Sequence, residues 1–311
     1  MKDEQRKARV KKILVTGAGG LVGYNVAKLL AEDSEYQTVA TVHNRNVDEL
    51  DNTIQTDLRN DIETLKVDFD CVVHCAAQIP NYAFSDEQAA SINRCIDDNI
   101  IQYCINHNCR LIYISGTSVY GFDNQEMLRE DTKICVEKYS SKYIYEKRNS
   151  EIIIENKCSD YCILRVSSPY GPQQRNDTVF KKFISAAFKG EKIYYFGTGE
   201  RTQNFIDARD VSRAVKKCID CSNGVFNIAA PYSVSMKQLA QLVQKVGKKE
   251  LNVVSEVCNR NVADPQEDIR INIDISLAEK EIGWKPQIEL ADGIQYWLRT
   301  MKEGENYAKG L

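Results

Sequence analysis

Histidine is scarce in this chain, and neither sign of charge dominates. The 311 residues include 3 His, and 41 Lys and Arg against 44 Asp and Glu leave a formal net charge of -3. So few histidines argue against a histidine-rich metal site, and the balanced charge gives no reason to expect a nucleic acid or a membrane surface as a partner. No run of 18 apolar residues occurs, so we expect no transmembrane helix. The N-terminal segment lacks an apolar signal core, and we expect a cytoplasmic protein.

Cysteine, in contrast, is abundant. An odd count of 11 Cys without an export signal predicts free thiols in a reducing compartment rather than a disulfide framework. Cys218 and Cys221 form a solitary C-x-x-C motif, whereas a zinc site would need a second pair or two histidines. We therefore expect no metal, and we interpret Cys71 and Cys75 as small core residues.

Short β-branched runs alternate with helical periodicity in the first half of the chain. Strands are predicted at 12–16, 39–42, 71–74, 111–114 and 161–164, with helices at 21–30, 91–106 and 139–156. This alternation predicts βαβ units and a parallel sheet with helices on both faces. After Pro169 the pattern changes to shorter elements, with helices at 179–189, 234–246 and 290–301 and an extended piece at 225–228. We expect one domain over residues 1–168 and a smaller lobe over 169–311, with some segments returning to the first domain.

A glycine-rich turn follows the first predicted strand and opens the first predicted helix. Gly17, Gly19, Gly20 and Gly23 provide a tight turn, close backbone approach to a pyrophosphate and helix-on-strand packing. The helix N-terminus would present free N–H groups to the phosphates. The alternative is a tight turn that binds no ligand.

The segment after the second strand bears on the choice between NAD and NADP. A carboxylate there would accept a hydrogen bond from the ribose 2′-OH of NAD, whereas an arginine would accommodate a 2′-phosphate. His43-Asn44-Arg45 contains no acid, which favours NADP, although Arg45 could also be a solvated loop residue. Asp57 and Leu58 follow the next short apolar run and are candidates for contact with the adenine.

Tyr143 and Lys147 lie four residues apart in the helix predicted at 139–156, so they share one face. A free phenol has a pKa of about 10, and lowering it by about 3 requires roughly 4 kcal/mol. One cation about 4 Å away supplies about that much at an effective dielectric constant of about 20. Lys147 therefore has the charge and the spacing to prepare Tyr143 as an acid/base. The same spacing in Tyr24 and Lys28 has no strand-end hydroxyl nearby, and we interpret it as a chance occurrence.

Taken together, these motifs resemble the extended short-chain dehydrogenase/reductase superfamily, in particular its NAD(P)-dependent sugar epimerase/dehydratase family, with UDP-glucose 4-epimerase as a typical member. The resemblance covers roughly residues 11 to 298. Its marks, in the family's order, are residues 16–23, Val73-His74-Cys75-Ala76-Ala77, Asn93 with Asn99, residues 115–121, Tyr143/Lys147 with Glu151, residues 164–172, the segment 197–211, Asp274-Ile275-Ser276 and Gly283-Trp284-Lys285-Pro286.

The resemblance implies a Rossmann-type, doubly wound α/β fold with a smaller C-terminal substrate-binding lobe. Tyr143 would move a proton at a sugar hydroxyl or ketone while a nicotinamide takes or returns hydride, and Lys147 would hold the nicotinamide ribose. A strand-end hydroxyl would hydrogen-bond the reacting oxygen. The residues implied at the cofactor are Gly17, Gly19, Gly20, Leu21, Val22, Gly23, Arg45, Asp57, Leu58, Cys75, Ala76, Ala77, Asn93, Tyr143 and Lys147. Those implied at the substrate are Ser167, Ser168, Arg201 and Gln203.

The chain departs from the family pattern at two places. Gly116 stands where the family has its hydroxyl residue, so Thr117 or Ser115 would have to replace it, or a water; we prefer Thr117. Thr117-Ser118 also stands where 4,6-dehydratases carry Asp-Glu, which disfavours dehydration.

The second departure concerns the substrate. Gln203 and Asp264 occupy the positions of two family arginines that bind a nucleotide-sugar pyrophosphate, so Arg201, Arg260 or Arg270 would have to compensate. Otherwise the substrate is not a standard nucleoside-diphosphate sugar.

The leading hypothesis is an NAD(P)-dependent nucleotide-sugar epimerase. One alternative is an NADPH-dependent 4-keto-sugar reductase, and another is a non-catalytic dinucleotide-sensing scaffold. The resemblance also implies a homodimer formed through the helix that carries Tyr143.

Overall fold

The computed structural model describes residues 9–45, 47–60, 62, 67–121, 127–136 and 141–309, with side chains as far as residue 305. The strands are β1 Lys11–Thr16, β2 Tyr36–Val42, β3 Thr53–Gln55, β4 Cys71–His74, β5 Arg110–Gly116, β6 Met127–Leu128, β7 Tyr161–Val166, β8 Ser168–Tyr170, β9 Ile193–Tyr195, β10 Thr202–Gln203, β11 Phe205–Asp207, β12 Gly224–Ile228, β13 Val234–Ser235, β14 Val257–Asn259 and β15 Asn272–Ile273. The helices are α1 Leu21–Ala31, α2 Asp86–His107, α3 Lys142–Lys157, α4 Val179–Lys189, α5 Ala208–Cys218, α6 Met236–Leu251, α7 Ser276–Ile282 and α8 Leu290–Lys309, with a 3-10 turn at Thr117–Tyr120.

A seven-stranded sheet in the order β12-β7-β5-β4-β1-β2-β3 confirms the predicted α/β fold. β1 pairs in parallel with both β2 and β4, and β2–β3 and β4–β5 are parallel as well. The chain moves outward from β1 through β2 to β3 and then returns to β4 on the other side of β1. In such sheets ligands bind beyond the carboxyl ends of the strands at this reversal. The topology therefore directs attention to the ends of β1 and β4.

Capping residues set two helix starts that apolar periodicity placed elsewhere. α2 begins at Asp86 rather than at residue 91, because Ser85 and Gln88 form a reciprocal capping box. α3 begins at Lys142, where the Ser141 side chain accepts a hydrogen bond from the Ile144 N–H. The prediction had started this helix at residue 139, and residues 139 and 140 lie outside the described part of the chain.

Two helices were not predicted from the sequence. α5 carries five charged residues in eleven, and α7 has only seven residues. In α5, the fully buried Asp210 carboxylate accepts hydrogen bonds from the Gln287 and Ile288 N–H groups at 2.8 and 3.0 Å. A charged residue thus occupies a core position because its partners come from a distant loop.

The chain forms two compact units and passes between them repeatedly. Unit 1 comprises 1–115, 139–164 and 215–225, and unit 2 comprises 116–138, 165–214 and 226–311. The core of unit 1 contains Leu14, Val72, Ile100, Leu111 and Ile163, from strands of the parallel sheet and from α2. The core of unit 2 contains Phe180, Phe205, Leu239 and Trp297, from α4, β11, α6 and α8. Among the described helices, none is both long and apolar enough to cross a bilayer.

Candidate active site

The ends of β1 and β4 are tied together around Thr16. Its hydroxyl oxygen accepts hydrogen bonds from the Cys75 and Ala76 N–H groups at 3.1 and 3.2 Å. Gly17 follows with φ +70°, and a Cβ on it would lie 2.6 Å from the Ala76 Cα. Only glycine allows this approach. The backbone at Gly17 and the backbone of Cys75-Ala76-Ala77 therefore lie against each other at the ends of β1 and β4, where the strand order reverses.

The N-terminus of α1 has the properties of an anion site. A Cβ on Gly23 would lie 2.3 Å from the Gly17 carbonyl oxygen, so the helix can approach the turn only through glycine. Gly20 is the N-cap, and among the described residues no side chain caps the first turn, which contains Leu21 and Val22 and no acid. The helix dipole and the N–H groups thus remain available for a phosphate. The residues present fit the pyrophosphate of a dinucleotide.

Arg45 lies beside this turn. Its Nη1 donates to the Gly19 carbonyl oxygen at 3.5 Å, and a Cβ on Gly19 would be 3.4 Å from the Arg45 Cβ. The Asp57 carboxylate forms a bidentate pair with Arg59, and the Arg59 hydrogen bonds lower the pKa of Asp57 to about 2. The Leu58 side chain is buried.

Asn93 and Asn99 each hold a loop at the carboxyl edge of the sheet. The Asn93 amide both accepts from the Gln78 N–H at 2.7 Å and donates to the Gln78 carbonyl at 2.8 Å. Asn99 donates to the carbonyls of Leu58 and Asn60 at 2.9 and 3.2 Å. Both asparagines on α2 therefore fix the loops that carry predicted cofactor residues.

A buried carboxylate, Asp97, joins four elements. It accepts hydrogen bonds from His74 Nε2 at 2.9 Å, from the Tyr113 hydroxyl at 2.6 Å and from the Ser150 hydroxyl at 2.7 Å. Burial acts to raise the pKa of Asp97, but the Lys147 charge and the hydrogen bonds from His74 and Tyr113 outweigh it and lower the pKa to about 2. Asp97 is therefore an ionised group inside the protein.

His74 connects this carboxylate to Thr16. Because His74 Nε2 donates to Asp97, its Nδ1 carries no proton and accepts a hydrogen bond from the Thr16 hydroxyl at 2.7 Å. Burial lowers the pKa of His74 more than the Asp97 hydrogen bond raises it. His74 is thus a neutral, doubly hydrogen-bonded side chain.

Lys147 lies in the same buried region of unit 1. Its Nζ donates to the Tyr113 hydroxyl at 3.0 Å and to the Ile114 carbonyl at 3.4 Å, and it stands 4.4 Å from the centre of the Tyr113 ring. Tyr143 is half-buried one turn earlier on α3, where Asp86 accepts from the Tyr143 N–H at 3.3 Å. A fixed cation therefore lies one turn from a phenol on the same helical face.

The strand-end hydroxyls differ in their surroundings. Ser115 shares one face of β5 with Tyr113, because residues two apart in a strand point the same way. Its buried Oγ finds no hydrogen-bond partner among the described residues. Thr117 is half-buried and begins the 3-10 turn in unit 2, and Gly116 precedes it. Ser115 is thus the hydroxyl that the structure places on the face of the Tyr113–Lys147 pair.

The predicted substrate residues lie in unit 2. Gln203 Nε2 donates to the Ser168 hydroxyl, so these two side chains are together. The Ser167 Oγ is buried and has no hydrogen-bond partner within the described residues.

The three arginines that were expected to compensate for the missing pyrophosphate ligands have partners of their own. Arg201 Nε donates to Asp264 at 2.8 Å, and its Nη1 donates to Gln266 at 3.3 Å. Arg260 lies 5.6 Å from the Tyr194 ring centre, and Arg270 donates to the backbone carbonyls of Glu267 and Ile269. Arg201, one of the three, is thus ion-paired with Asp264, which itself stands at one of the two positions that depart from the family.

Sequence analysis missed Asp97, Tyr113 and Ser150 altogether. The one local signal was that Asp97 follows Asn93 by four residues, which places it on the same face of α2. Nothing local connects it with Tyr113 or Ser150, which belong to β5 and α3.

Comparisons with known proteins support the fold and identify the family. The model of the NAD dependent epimerase/dehydratase family matches residues 13–229, which confirms the resemblance predicted from the sequence. A protein of Methanocaldococcus jannaschii, provisionally named a UDP-glucose 4-epimerase, is 28% identical over 93% of this chain and 98% of its own. UDP-glucuronic acid decarboxylase 1 of Xenopus tropicalis is 27% identical over 95% of this chain and 74% of its own. The crystal structure of UDP-glucuronic acid 4-epimerase from Bacillus cereus, in complex with UDP-glucuronic acid and NAD, is 23% identical over 93% of this chain and 99% of its own, with a TM-score of 0.78.

The buried His74 predicts a specific pH dependence of stability. The folded state disfavours protonated His74, so the unfolded chain binds more protons below the ordinary pKa of 6.5. The free energy of unfolding should therefore fall as the pH decreases from 7 to 5, by at most about 1.4 kcal/mol per pH unit from this group. Urea unfolding across that range measures the slope. His74→Gln should flatten it and His43→Gln should retain it; equal slopes in both variants would contradict the assignment.

Proposed function

Because the chain belongs to the NAD dependent epimerase/dehydratase family, we propose that it is an NAD(P)-dependent epimerase of a nucleotide sugar. The observation that carries this proposal is the position of Lys147. It is buried beside Asp97 and Tyr113, one helical turn from the half-buried Tyr143. That arrangement supplies a fixed cation one helical turn from a phenol that could act as an acid/base at a sugar hydroxyl.

The bound nicotinamide supplies reversible hydride transfer at one sugar carbon. Tyr143 takes the proton of the sugar hydroxyl at that carbon and returns it when the ketone is reduced from the other face. Lys147 places its charge one helical turn from Tyr143, and Asp97 holds Lys147 in place. Ser115, which has an uncommitted hydroxyl, donates a hydrogen bond to the reacting oxygen, and Thr117 is the alternative for this role.

The sugar nucleotide would bind to unit 2 through Ser167, Ser168 and Gln203, and the lobe over 169–311 is its proposed binding region. Relatives of the chain support a uridine diphosphate sugar as the first substrate to test, because their names specify UDP-glucose and UDP-glucuronic acid. Arg201 would contact a phosphate only by giving up its ion pair with Asp264.

Arg45 favours a second candidate function. An exposed arginine beside Gly19 suits a 2′-phosphate, and preference for NADP fits an NADPH-dependent 4-keto-sugar reductase that exchanges its cofactor every turnover. Stoichiometric consumption of NADPH would distinguish the reductase from the epimerase, which regenerates its cofactor.

The protein is proposed to be a homodimer formed through α3. Tyr145 and Ile152, two turns apart on this helix, are 46% and 40% exposed, so both face away from the unit 1 core. Light scattering should give twice the mass of one chain, and Tyr145→Glu should reduce it to one chain by placing a charge in the interface. Tyr82→Glu, at a 99% exposed loop residue, should leave the dimer intact. A wild-type protein with the mass of one chain would contradict the proposal.

Tyr143→Phe tests the proposed chemistry. With UDP-glucose or UDP-glucuronic acid as substrate and added NAD(P), this variant should lose at least about a hundredfold in kcat, because acid/base catalysis contributes about 10²–10⁴. Its thermal shift with cofactor should match that of the wild type. Tyr24→Phe removes the hydroxyl of the other Tyr-x-x-x-Lys pair and should keep its turnover. Unchanged turnover in Tyr143→Phe would remove Tyr143 from the mechanism, and Ser115→Ala compared with Thr117→Val identifies the assisting hydroxyl.

Arg45→Ala tests the cofactor preference by binding alone. Loss of charged hydrogen bonds worth about 1.5–3 kcal/mol should weaken NADP⁺ by about ten- to hundredfold and leave NAD⁺ affinity unchanged. Calorimetric titration of both cofactors measures this, and Arg299→Ala, which removes an exposed arginine elsewhere, should change neither affinity. Tighter binding of NAD⁺ by the wild type would refute the preference for NADP.

A further inference from the structure

Three cysteine sulfurs come together in unit 1, two from a C-x-x-C motif and one from a distant strand. The Sγ atoms of Cys162, Cys218 and Cys221 all lie within 4.8 Å of one another. Cys162 is on β7, Cys218 ends α5, and Cys221 follows three residues later. The first two side chains are fully buried, and Cys221 is half-buried. The expectation that Cys218 and Cys221 lack a further ligand is thus wrong, because β7 brings a third sulfur to them.

Arg110 fixes one side of this thiol cluster. Its buried guanidinium donates from Nη2 to Cys221 Sγ at 3.2 Å and from Nε to the Cys218 carbonyl at 2.7 Å, while Nη1 pairs with Asp160. Hydrogen bonds from Cys162 and Cys218, together with the Arg110 charge, hold the pKa of Cys221 well below its usual range. The cluster therefore has a buried guanidinium held against one of its sulfurs by two further contacts.

The arrangement of three sulfurs can accommodate a metal ion. Thiolates on a tetrahedral Zn²⁺, with Zn–S bonds of about 2.3 Å, lie about 3.8 Å apart, which is compatible with the 4.8 Å limit for all three pairs. A disulfide would use two sulfurs, draw them to about 2.05 Å and leave the third unpaired. Three thiolates and one Zn²⁺ carry a net charge of −1, which the Arg110 guanidinium would balance.

We propose that Cys162, Cys218 and Cys221 form a binding site for a thiophilic divalent cation, with Zn²⁺ as the reference ion and the fourth position open to solvent beside Cys221. The nearby carboxylates are engaged elsewhere, since Asp220 pairs with Lys11 and Asp160 with Arg110. All three ligands are therefore sulfur, which selects soft ions over Mg²⁺ or Ca²⁺.

The thiol cluster lies at the amino ends of β5 and β7, whereas the glycine turn lies at the carboxyl end of β1. Arg110 begins β5 and Cys162 is the second residue of β7, whereas Gly17 follows the carboxyl end of β1. The six residues of β7 span about 20 Å at about 3.3 Å per residue. The ion would thus stabilise unit 1 without taking part in the proposed chemistry, and the inference does not depend on the proposed function.

Titration of the full-length, phosphine-reduced protein with Co²⁺ and then Zn²⁺ tests the site. We expect one equivalent of Co²⁺ with sulfur-to-cobalt charge-transfer absorption, its displacement by Zn²⁺, and a higher melting temperature with either ion. Cys221→Ser should weaken binding by more than about tenfold, since even partners outside the ligand sphere contribute about ten- to hundredfold. Cys95→Ser, at an exposed cysteine outside the cluster, should bind like the wild type.

A second measurement avoids the variants, whose folding could change. Zn²⁺ should protect the half-buried Cys221 of the wild-type protein from alkylation in urea-free buffer, while the exposed Cys95 stays reactive, as read by peptide mass spectrometry. Absence of charge-transfer absorption, equal affinity in Cys221→Ser, or no protection of Cys221 would overturn the proposal. A mass lower by two hydrogens with a Cys218–Cys221 crosslink, formed in air and insensitive to Zn²⁺, would also overturn it in favour of a disulfide.

Discussion

The ionised carboxylate of Asp97 is the group on which the interior of unit 1 depends. It lies away from water, so its charge must be met by donors and a cation, or the folded state would lose several kcal/mol. His74, Tyr113 and Ser150 supply the donors from β4, β5 and α3, and Lys147 supplies the charge. Because the partners come from β4, β5 and α3 and the carboxylate from α2, satisfying one charge fixes the relative positions of two strands and two helices.

The same requirement explains the order of the side chains around the candidate site. Lys147 is held by the need to balance Asp97, and Tyr143 stands one turn away because both belong to α3. His74 transmits the constraint to Thr16, whose hydroxyl holds the backbone after β4 next to Gly17. The backbone at the glycine turn and the region around Tyr143 are therefore positioned by one connected set of hydrogen bonds.

Features encoded within a few residues were predictable from the sequence. The glycine turn, the Tyr143/Lys147 spacing and most sheet strands depend on local periodicity or on positions that only glycine can occupy. The start of α2 was misplaced because a capping box, rather than apolar periodicity, decides it. α5 was missed because its buried Asp210 reads as a surface residue until the loop at Gln287 and Ile288 is known.

Contacts between distant segments could not be predicted in this way. Asp97, Tyr113 and Ser150 belong to three elements, and no spacing connects them. Cys162 similarly lies 56 residues before Cys218, so C-x-x-C seemed solitary until the fold brought β7 beside the end of α5. The resemblance to a family indicated the groups that we propose to react but not the chain's own way of supporting them.

The ion pair between Arg201 and Asp264 has a consequence for selectivity in unit 2. Both side chains are largely withdrawn from solvent, with 20% and 10% exposure, so neither charge is easily hydrated when the other leaves. A neutral sugar cannot replace the carboxylate, whereas a doubly charged phosphate group can compete with it. At the proposed substrate site, only a strongly anionic group would therefore displace Asp264 from Arg201.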